Sequence, residues 1–391
     1  MIVAVPAETG AGENRVALVP AVVPALAKAG LEVTVEKGAG LAAGFPDAEY
    51  EARGARIVEG RAALLSRAAI VLRVRGAGPG GSPSDEDVAG MKPGQILVGL
   101  LNPLGDPEGA RRLAARKVTA YALELLPRTS RAQPMDVLTS MATISGYRAA
   151  LMAAAGLPKL YPMMVTPAGT ITPAHVFVLG AGVAGLQAIA TSRRLGAVVT
   201  AYDIRPEVRE QVESVGGRFL DLGLKTADAS VKNGYARAMD EEFYRRQQEM
   251  MSHTVGESDA VITTAAVPGK KAPILVTEAM VRKMRPGSII VDLAAEGGGN
   301  CEMTRAGETV EAWGVRIMGP VNLPSSVATH ASQMFAKNVA AFLTHAIKDG
   351  AFREDPEDSI LNDTLLTRDG EIASAPVRSR LGMNSETVAA V

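Results

Sequence analysis

Two stretches of the chain carry residues whose types and spacing could do chemistry. In HVFVLGAGVAGLQAIATSRRLGAVVTAYD (175–203), the glycines Gly180, Gly182 and Gly185, interleaved with Ala181 and Val183, follow a strand-like run and open a helix-like one. Gly180 permits a tight turn, Gly182 lets backbone approach a pyrophosphate, and Gly185 allows close packing of helix on strand. The start of such a helix offers unpaired N–H groups and a positive dipole end to phosphates. The next strand ends at Asp203, 23 residues after Gly180, followed by Ile204 and Arg205. A carboxylate there accepts hydrogen bonds from a ribose diol and repels a 2′-phosphate, which points to NAD(H) over NADP(H). Arg205 pulls the other way, because an arginine two residues past the acid can serve NADP. The bland alternative is a Rossmann-like domain that uses the glycines for packing alone.

The second stretch is ELLPRTSRAQPMDVLTS (124–140), with two arginines, a glutamine and an aspartate between Arg128 and Asp136. It contains no His, Cys or Lys, so it has donors and acceptors at a strand end but no ordinary base or nucleophile. Two further segments stay open. The polar run 221–247, with Asn233-Gly234-Tyr235, reads as a solvated connection before a charged helix, or as a flap closing over the cofactor with Tyr235 reaching in. In AAVPGKKAPILV (265–276), Ala266 and Val267 follow a strand end and either line the nucleotide path or form a simple turn. His175, His253, His330 and His345 are scattered, without metal-ligand spacing, and Cys301 has no CxxC partner; all five read as structural or surface groups, and no metal is expected.

These segments need a scaffold, and the pattern predicts an α/β one. Short β-branched runs at 2–6, 32–36, 69–74, 95–100 and 118–123 alternate with helical patterns such as PAVVPALAKAG (20–30), where Gly30 is a stop signal. A helical segment at 139–157 leads to a second series of strands at 175–180, 197–203, 260–265, 288–294 and 315–319. The reading is two Rossmann-like, doubly wound parallel-sheet domains separated by a cleft, the first completed by a C-terminal helix at 332–350. The boundaries expected are 1–138 completed by 328–380 for the first domain, 139–327 for the nucleotide-binding domain, and 381–391 for a flexible tail. A length of 391 residues suits two cores. With 41 basic against 42 acidic residues there is no basic excess for nucleic acid. No apolar window reaches the length of a membrane span, and MIVAVP starts as a strand rather than a signal peptide.

Taken together, ENRVALVP (13–20), KGAG (37–40), ALELLPRTSRAQPMDVLTS, PMMVTPAGT (162–170), VLGAGVAGLQAIATSRRLGAVV, QVESVGG (211–217), IVDLAAEGGGN and GPVNLPSSVA resemble one family over essentially the whole chain. It is the NAD(H)-binding domain I of proton-translocating NAD(P) transhydrogenase, its alpha subunit, related to alanine dehydrogenase. The resemblance implies an oxidoreductase of the Re/Si-specific type, active only with partner subunits. It implies a homodimer that binds NAD(H) and exchanges hydride with NADP(H) on a separate domain III, while a domain II spans the membrane and carries protons. This chain would then be a split-gene subunit, cytoplasmic and peripheral on the inner membrane through its partners. It also implies that Arg128, Thr129, Ser130, Arg131, Gln133, Pro134, Met135 and Asp136 surround the nicotinamide, with Gly234 and Tyr235 on a mobile loop. Thr139 stands where the family often has serine and keeps the hydroxyl.

Alanine dehydrogenase is the rival on the same scaffold. Its members carry a lysine and a histidine in the first domain, and near those positions this chain has Arg75 and Asn102. An arginine stays protonated and an asparagine does not titrate, so reductive amination lacks its tunable groups. Hydride exchange between two nicotinamides makes no such demand. A third reading, from another class, is a non-catalytic NAD(H) sensor.

Overall fold

The computed structural model describes residues 1–223, 241–266, 269–348, 350–353, 355 and 357–383, without the side chains of Glu241 and Tyr244. The chain forms two compact units, Met1–Met141 with Ser325–Val391, and Ala142–Pro324. From 384 onward the expected tail lies outside the described residues.

The first unit is built on an eight-stranded sheet. Its order is Glu371–Ile372, Leu365–Arg368, Thr119–Ala122, Ile96–Leu100, Ile70–Arg75, Ile2–Val5, Glu32–Glu36 and Arg56–Val58. The six strands from the N-terminal segment run parallel, and the two C-terminal strands add antiparallel at one edge. The helix Ala328–Ala346 packs in this unit, with Phe342 5.8 Å from the ring of Tyr121. It is not the last helix, since Ser359–Thr364 and Ala375–Arg380 follow. The edge strands 365–372 and the short strand Arg56–Val58 escape a reading by apolar runs because each is brief and mixed in polarity.

The second unit has a seven-stranded sheet, ordered Arg218–Phe219, Val198–Tyr202, His175–Leu179, Ala260–Thr263, Ile289–Asp292, Val315–Met318 and Thr309–Ala312. All neighbours are parallel except the last pair. Its strands are apolar on both faces because both faces are covered. Val176, Val178, Ile262 and Val291 pack with Ala149, Ala153, Ala188 and Ile189 of two helices, while Phe177, Val261 and Ile290 pack with Met251, Val255 and Met280 of two others. The sheet order reverses around His175–Leu179: the chain goes first to Val198–Tyr202 on one side, then to Ala260–Thr263 on the other. Such a switch point opens a crevice at the carboxyl ends of the strands.

The helix Val137–Gly156 carries the chain from the first unit into the second. A hairpin of Met164–Thr166 and Gly169–Ile171 stands out of the second unit with Met163, Val165 and Ile171 exposed, Val165 by 76%. Among the described residues no helix is long and apolar enough to cross a membrane.

Candidate dinucleotide site

In the second unit the glycine-rich turn lies at the switch point. Gly180 has φ +96°, its N–H donates to the carbonyl of Tyr202 at 2.8 Å, and its carbonyl accepts from the Thr264 hydroxyl at 3.0 Å. A side chain at Gly185 would place Cβ 1.9 Å from the Gly180 carbonyl oxygen, so the helix Val183–Arg194 approaches the turn as closely as it does only because that residue is glycine. Gly182 is the N-cap of this helix; no side chain caps it, and a Cβ there would meet nothing within 4 Å. Unpaired N–H groups therefore face open space beside a glycine, a cradle fitting a pyrophosphate.

Asp203, at the end of Val198–Tyr202, is 8% exposed. Its Oδ2 accepts from the Ala181 N–H at 2.7 Å and from Arg205 Nη2 at 2.8 Å, and its Oδ1 accepts from Arg205 Nε and the Arg205 backbone N–H, both at 2.9 Å. The acid ties the glycine turn to its own strand and is clasped by the arginine two residues on. Arg205 is held above the ordinary guanidinium range, first by its hydrogen bond to Asp203. Ile204 beside them is half-buried.

On the other side of the switch point, the Ala265 peptide is gripped by the buried Asn300: its N–H donates to Asn300 Oδ1 at 2.9 Å and its carbonyl accepts from Nδ2 at 2.8 Å. Ala266 follows, exposed. Asn300 is in turn held by Asp292, whose fully buried carboxylate takes five donors: the hydroxyls of Thr263 and Thr304 and the N–H groups of Ala294, Asn300 and Cys301, at 2.7–3.0 Å. These bonds assign Asp292 and Asn300 to shaping the strand ends, a role that the motif IVDLAAEGGGN did not disclose. Burial pushes the Cys301 thiol up to about 11, so it is no nucleophile. Val267, Gly234 and Tyr235 lie outside the described residues.

In the first unit the loop leaves the carboxyl end of Thr119–Ala122. Arg128, Thr129, Ser130, Arg131, Gln133 and Pro134 are exposed, and Met135 is buried beneath them. Asp136 caps the helix Val137–Gly156 from in front: its carboxylate accepts from the Thr139 N–H at 2.9 Å and from the Thr139 hydroxyl at 2.6 Å. The threonine hydroxyl is thus engaged with the acid, and its methyl leaves that bond intact. Gln133 keeps its carboxamide exposed, whereas Arg131 pairs with Asp358 at 3.2 Å. Two residues that no sequence motif marks hold the loop. Asn338, on Ala328–Ala346, donates to the Pro134 carbonyl and accepts from the Ser140 hydroxyl, each at 2.7 Å. Asp358, almost wholly enclosed, also meets His345 at 2.8 Å and Arg353. Burial pushes Asp358 up, but the Ile360 N–H and the charges of His345 and Arg131 outweigh it and leave the carboxyl below its usual range.

Arg15 is buried in a bidentate pair with Glu13, 2.6 Å at the closest, which fits a structural role. Beside Asn102 the structure reveals a titratable group that spacing along the chain does not mark. Glu124 accepts from the N–H groups of Leu101 at 2.8 Å and Asn102 at 2.5 Å, while its Oε2 is enclosed without a partner. Burial raises this carboxyl to about 7, against the pull of those N–H bonds and of Arg75. A carboxyl raised in the folded state binds protons more tightly than the unfolded chain, so its contribution is complete below pH ~4.5 and is lost as pH rises through ~7. A shift of this size is worth about 3 kcal/mol. Glu124→Gln is expected to lose that pH dependence, so its urea midpoint gains on wild type between pH 5 and 8; parallel curves at both pH values would refute it.

Among the described residues no cluster of His, Cys, Asp or Glu is placed to hold a metal. The profile described as alanine dehydrogenase/PNT, N-terminal domain, matches residues 4–145, and that of the C-terminal domain matches 149–375. The chain is 47% identical to the first of the separate polypeptides of NAD(P) transhydrogenase subunit alpha from Rhodospirillum rubrum, over 95% of this chain and 97% of that one. It is 30% identical to alanine dehydrogenase of Bacillus subtilis, over 98% and 95% respectively. A transhydrogenase structure from Sinorhizobium meliloti superposes with a TM-score of 0.82 at 39% identity, covering 96% of this chain and 99% of that one.

Proposed function

From the premise that the chain belongs to the alanine dehydrogenase/PNT family, we propose that it is the NAD(H)-binding subunit of a proton-translocating NAD(P) transhydrogenase. The observation that carries the nucleotide is the turn at Gly180–Gly185: an uncapped helix start, open space at Gly182, and an acid at the end of the neighbouring strand. NAD(H), when bound, supplies a hydride donor or acceptor at its nicotinamide ring. The chain's own task is then to bind and orient. The N–H groups at the start of Val183–Arg194 hold the phosphates and Asp203 the ribose. The loop from Arg128 to Asp136 orients the carboxamide and ring, Gln133 by an exposed amide that can both donate and accept. Orientation of this kind contributes up to about 7–11 kcal/mol to a barrier in favourable cases.

NADP(H) sits on a partner domain III in this reading, and a membrane domain II couples transfer to proton movement, so the chain works at the cytoplasmic face through its partners. Support for transhydrogenase over amino acid dehydrogenase comes from the higher identity to transhydrogenase subunits and from Arg75 and Asn102, neither a tunable base. The test is to mix the chain with an NADP(H)-binding domain III and follow hydride transfer from NADH to an NADP⁺ analogue. Transfer in the mixture is expected; turnover of alanine or pyruvate by the chain alone would overturn the reading, and NADH binding without transfer would favour the sensor.

Gln133→Asn draws the amide back by one methylene. It is expected to slow hydride transfer at least tenfold while changing NADH affinity by less than threefold, because the loss falls on orientation. Equal losses in single-turnover rate and in binding would refute that role. The exposed hairpin supports the homodimer, since Met163, Val165 and Ile171 form an apolar surface a monomer leaves in water. Val165→Asp is expected to shift the mass seen by light scattering from dimer toward monomer; an unaltered dimer would place the interface elsewhere.

A further inference from the structure

Asp203 is the acid the sequence assigns to a ribose diol, yet its acceptor positions are filled. A carboxylate has about four lone-pair sites. Here Oδ1 takes the Arg205 N–H and Nε, and Oδ2 takes the Ala181 N–H and Arg205 Nη2, all between 2.7 and 2.9 Å. Two of the four are backbone bonds that belong to the turn itself. The other two come from the guanidinium, whose fork–fork geometry and low exposure, 12% for Arg205 and 5% for Asp203, make it a strong local competitor. Two ribose hydroxyls need two acceptor positions, and the two that can be vacated without unmaking the turn are those occupied by Arg205.

We propose that Arg205 is a selectivity-determining latch: its guanidinium closes the Asp203 carboxylate, and a nucleotide's ribose gains Asp203 only when Arg205 releases it. This deepens the NAD(H)-site reading and rests on it. The latch has two consequences. It lowers the affinity for NAD(H), because the pair must open before the diol is bound. It also softens the rejection of a 2′-phosphate, because the charge of Asp203 is neutralised while the pair is closed and a cation stands beside it when open. Glu207, the other carboxylate whose charge reaches Arg205, offers the released guanidinium a second partner two residues along.

Arg205 therefore acts through Asp203, and a merely structural ion pair would change stability without changing the choice between nucleotides. The experiment measures dissociation constants and association rates for NADH and NADPH with the full chain, its Arg205→Ala variant and its Arg205→Gln variant. Both variants keep the Ala181 and residue-205 N–H bonds to Asp203, and Gln retains a neutral donor of similar reach. The latch predicts that Arg205→Ala binds NADH about fivefold tighter, mainly through a faster association rate. It predicts weaker NADPH binding, so that the NADPH-to-NADH ratio of dissociation constants rises tenfold or more, with Arg205→Gln between the two. An unchanged ratio in both variants overturns the latch, and so does weaker NADH binding by a variant whose unfolding midpoint matches wild type, since Arg205 would then hold the nucleotide directly. Failure of the wild-type chain to bind NADH overturns the site reading itself, and with it the latch.

Discussion

Gly182→Ala abolishes most NADH binding while leaving the fold as stable as before. The Gly182 backbone is extended, φ −74° and ψ −169°, a conformation alanine adopts without strain, and its Cβ would meet no protein atom within 4 Å. Replacing glycine by alanine at such a site removes unfolded-state freedom, so the melting temperature stays level or rises slightly. The same methyl group fills the space in front of the uncapped N–H groups of Val183–Arg194, where a pyrophosphate would come closest. The expected loss in NADH affinity is at least about thirtyfold, or about 2 kcal/mol. Gly185→Ala makes the contrast. Its Cβ would lie 1.9 Å from the Gly180 carbonyl, a backbone atom, so helix and turn must separate and both binding and stability fall. Calorimetric titration with NADH and thermal melts of the two variants check the pair. A Gly182→Ala protein that binds NADH as wild type would remove the turn from the site.

Asp292→Asn, the smallest change that side chain admits, destabilises the second unit by several kcal/mol. Both carboxylate oxygens accept only. Oδ1 faces the Thr263 hydroxyl and the Ala294 N–H, and Oδ2 faces the Asn300 and Cys301 N–H groups and the Thr304 hydroxyl. Whichever way an amide is turned, its NH₂ confronts at least one backbone N–H in a site with no solvent. A buried donor left without an acceptor costs about 1–3 kcal/mol, and here two or three are orphaned together. The total of about 3–5 kcal/mol belongs to the large tail of single-residue effects. Trp313, the single tryptophan of the chain, lies in this unit with the Arg282 guanidinium 4.5 Å from its ring, so its fluorescence follows the unit in urea. A midpoint indistinguishable from wild type would show that the knot around Asp292 carries little. Because Asn300 hangs from Asp292 and grips the Ala265 peptide, a weakened NADH affinity is expected in whatever fraction stays folded.

Much of this was legible in the residues, and the reason is local. The strands of the second unit are covered on both faces, so each reads as an unbroken apolar run, and those at 175–180, 197–203, 260–265, 288–294 and 315–319 lie within a residue or two of the observed elements. The glycine turn is visible because three positions each have a backbone requirement that glycine meets most cheaply. The Asp136–Thr139 cap is equally local, an acid three residues before a hydroxyl at a helix start.

What escaped the one-dimensional reading depends on groups far apart in sequence. Asn338 reaches Pro134 across 204 positions and Asp358 reaches Arg131 across 227, so neither spacing nor composition could assign them to the loop. The edge strands from 365–372 are too short to show a period, and only pairing with Thr119–Ala122 makes them strands. Glu124 looked like an ordinary acid; enclosure of its Oε2, a property of the packed chain, raises its pKa. The acid after the second strand shows the same division most plainly. Sequence determined that a carboxylate stands at Asp203 with an arginine two residues on, and hence a nucleotide site of this type. That the arginine closes the carboxylate was settled by folding, because hydrogen-bond valence is exhausted in three dimensions and spacing along a chain does not count it.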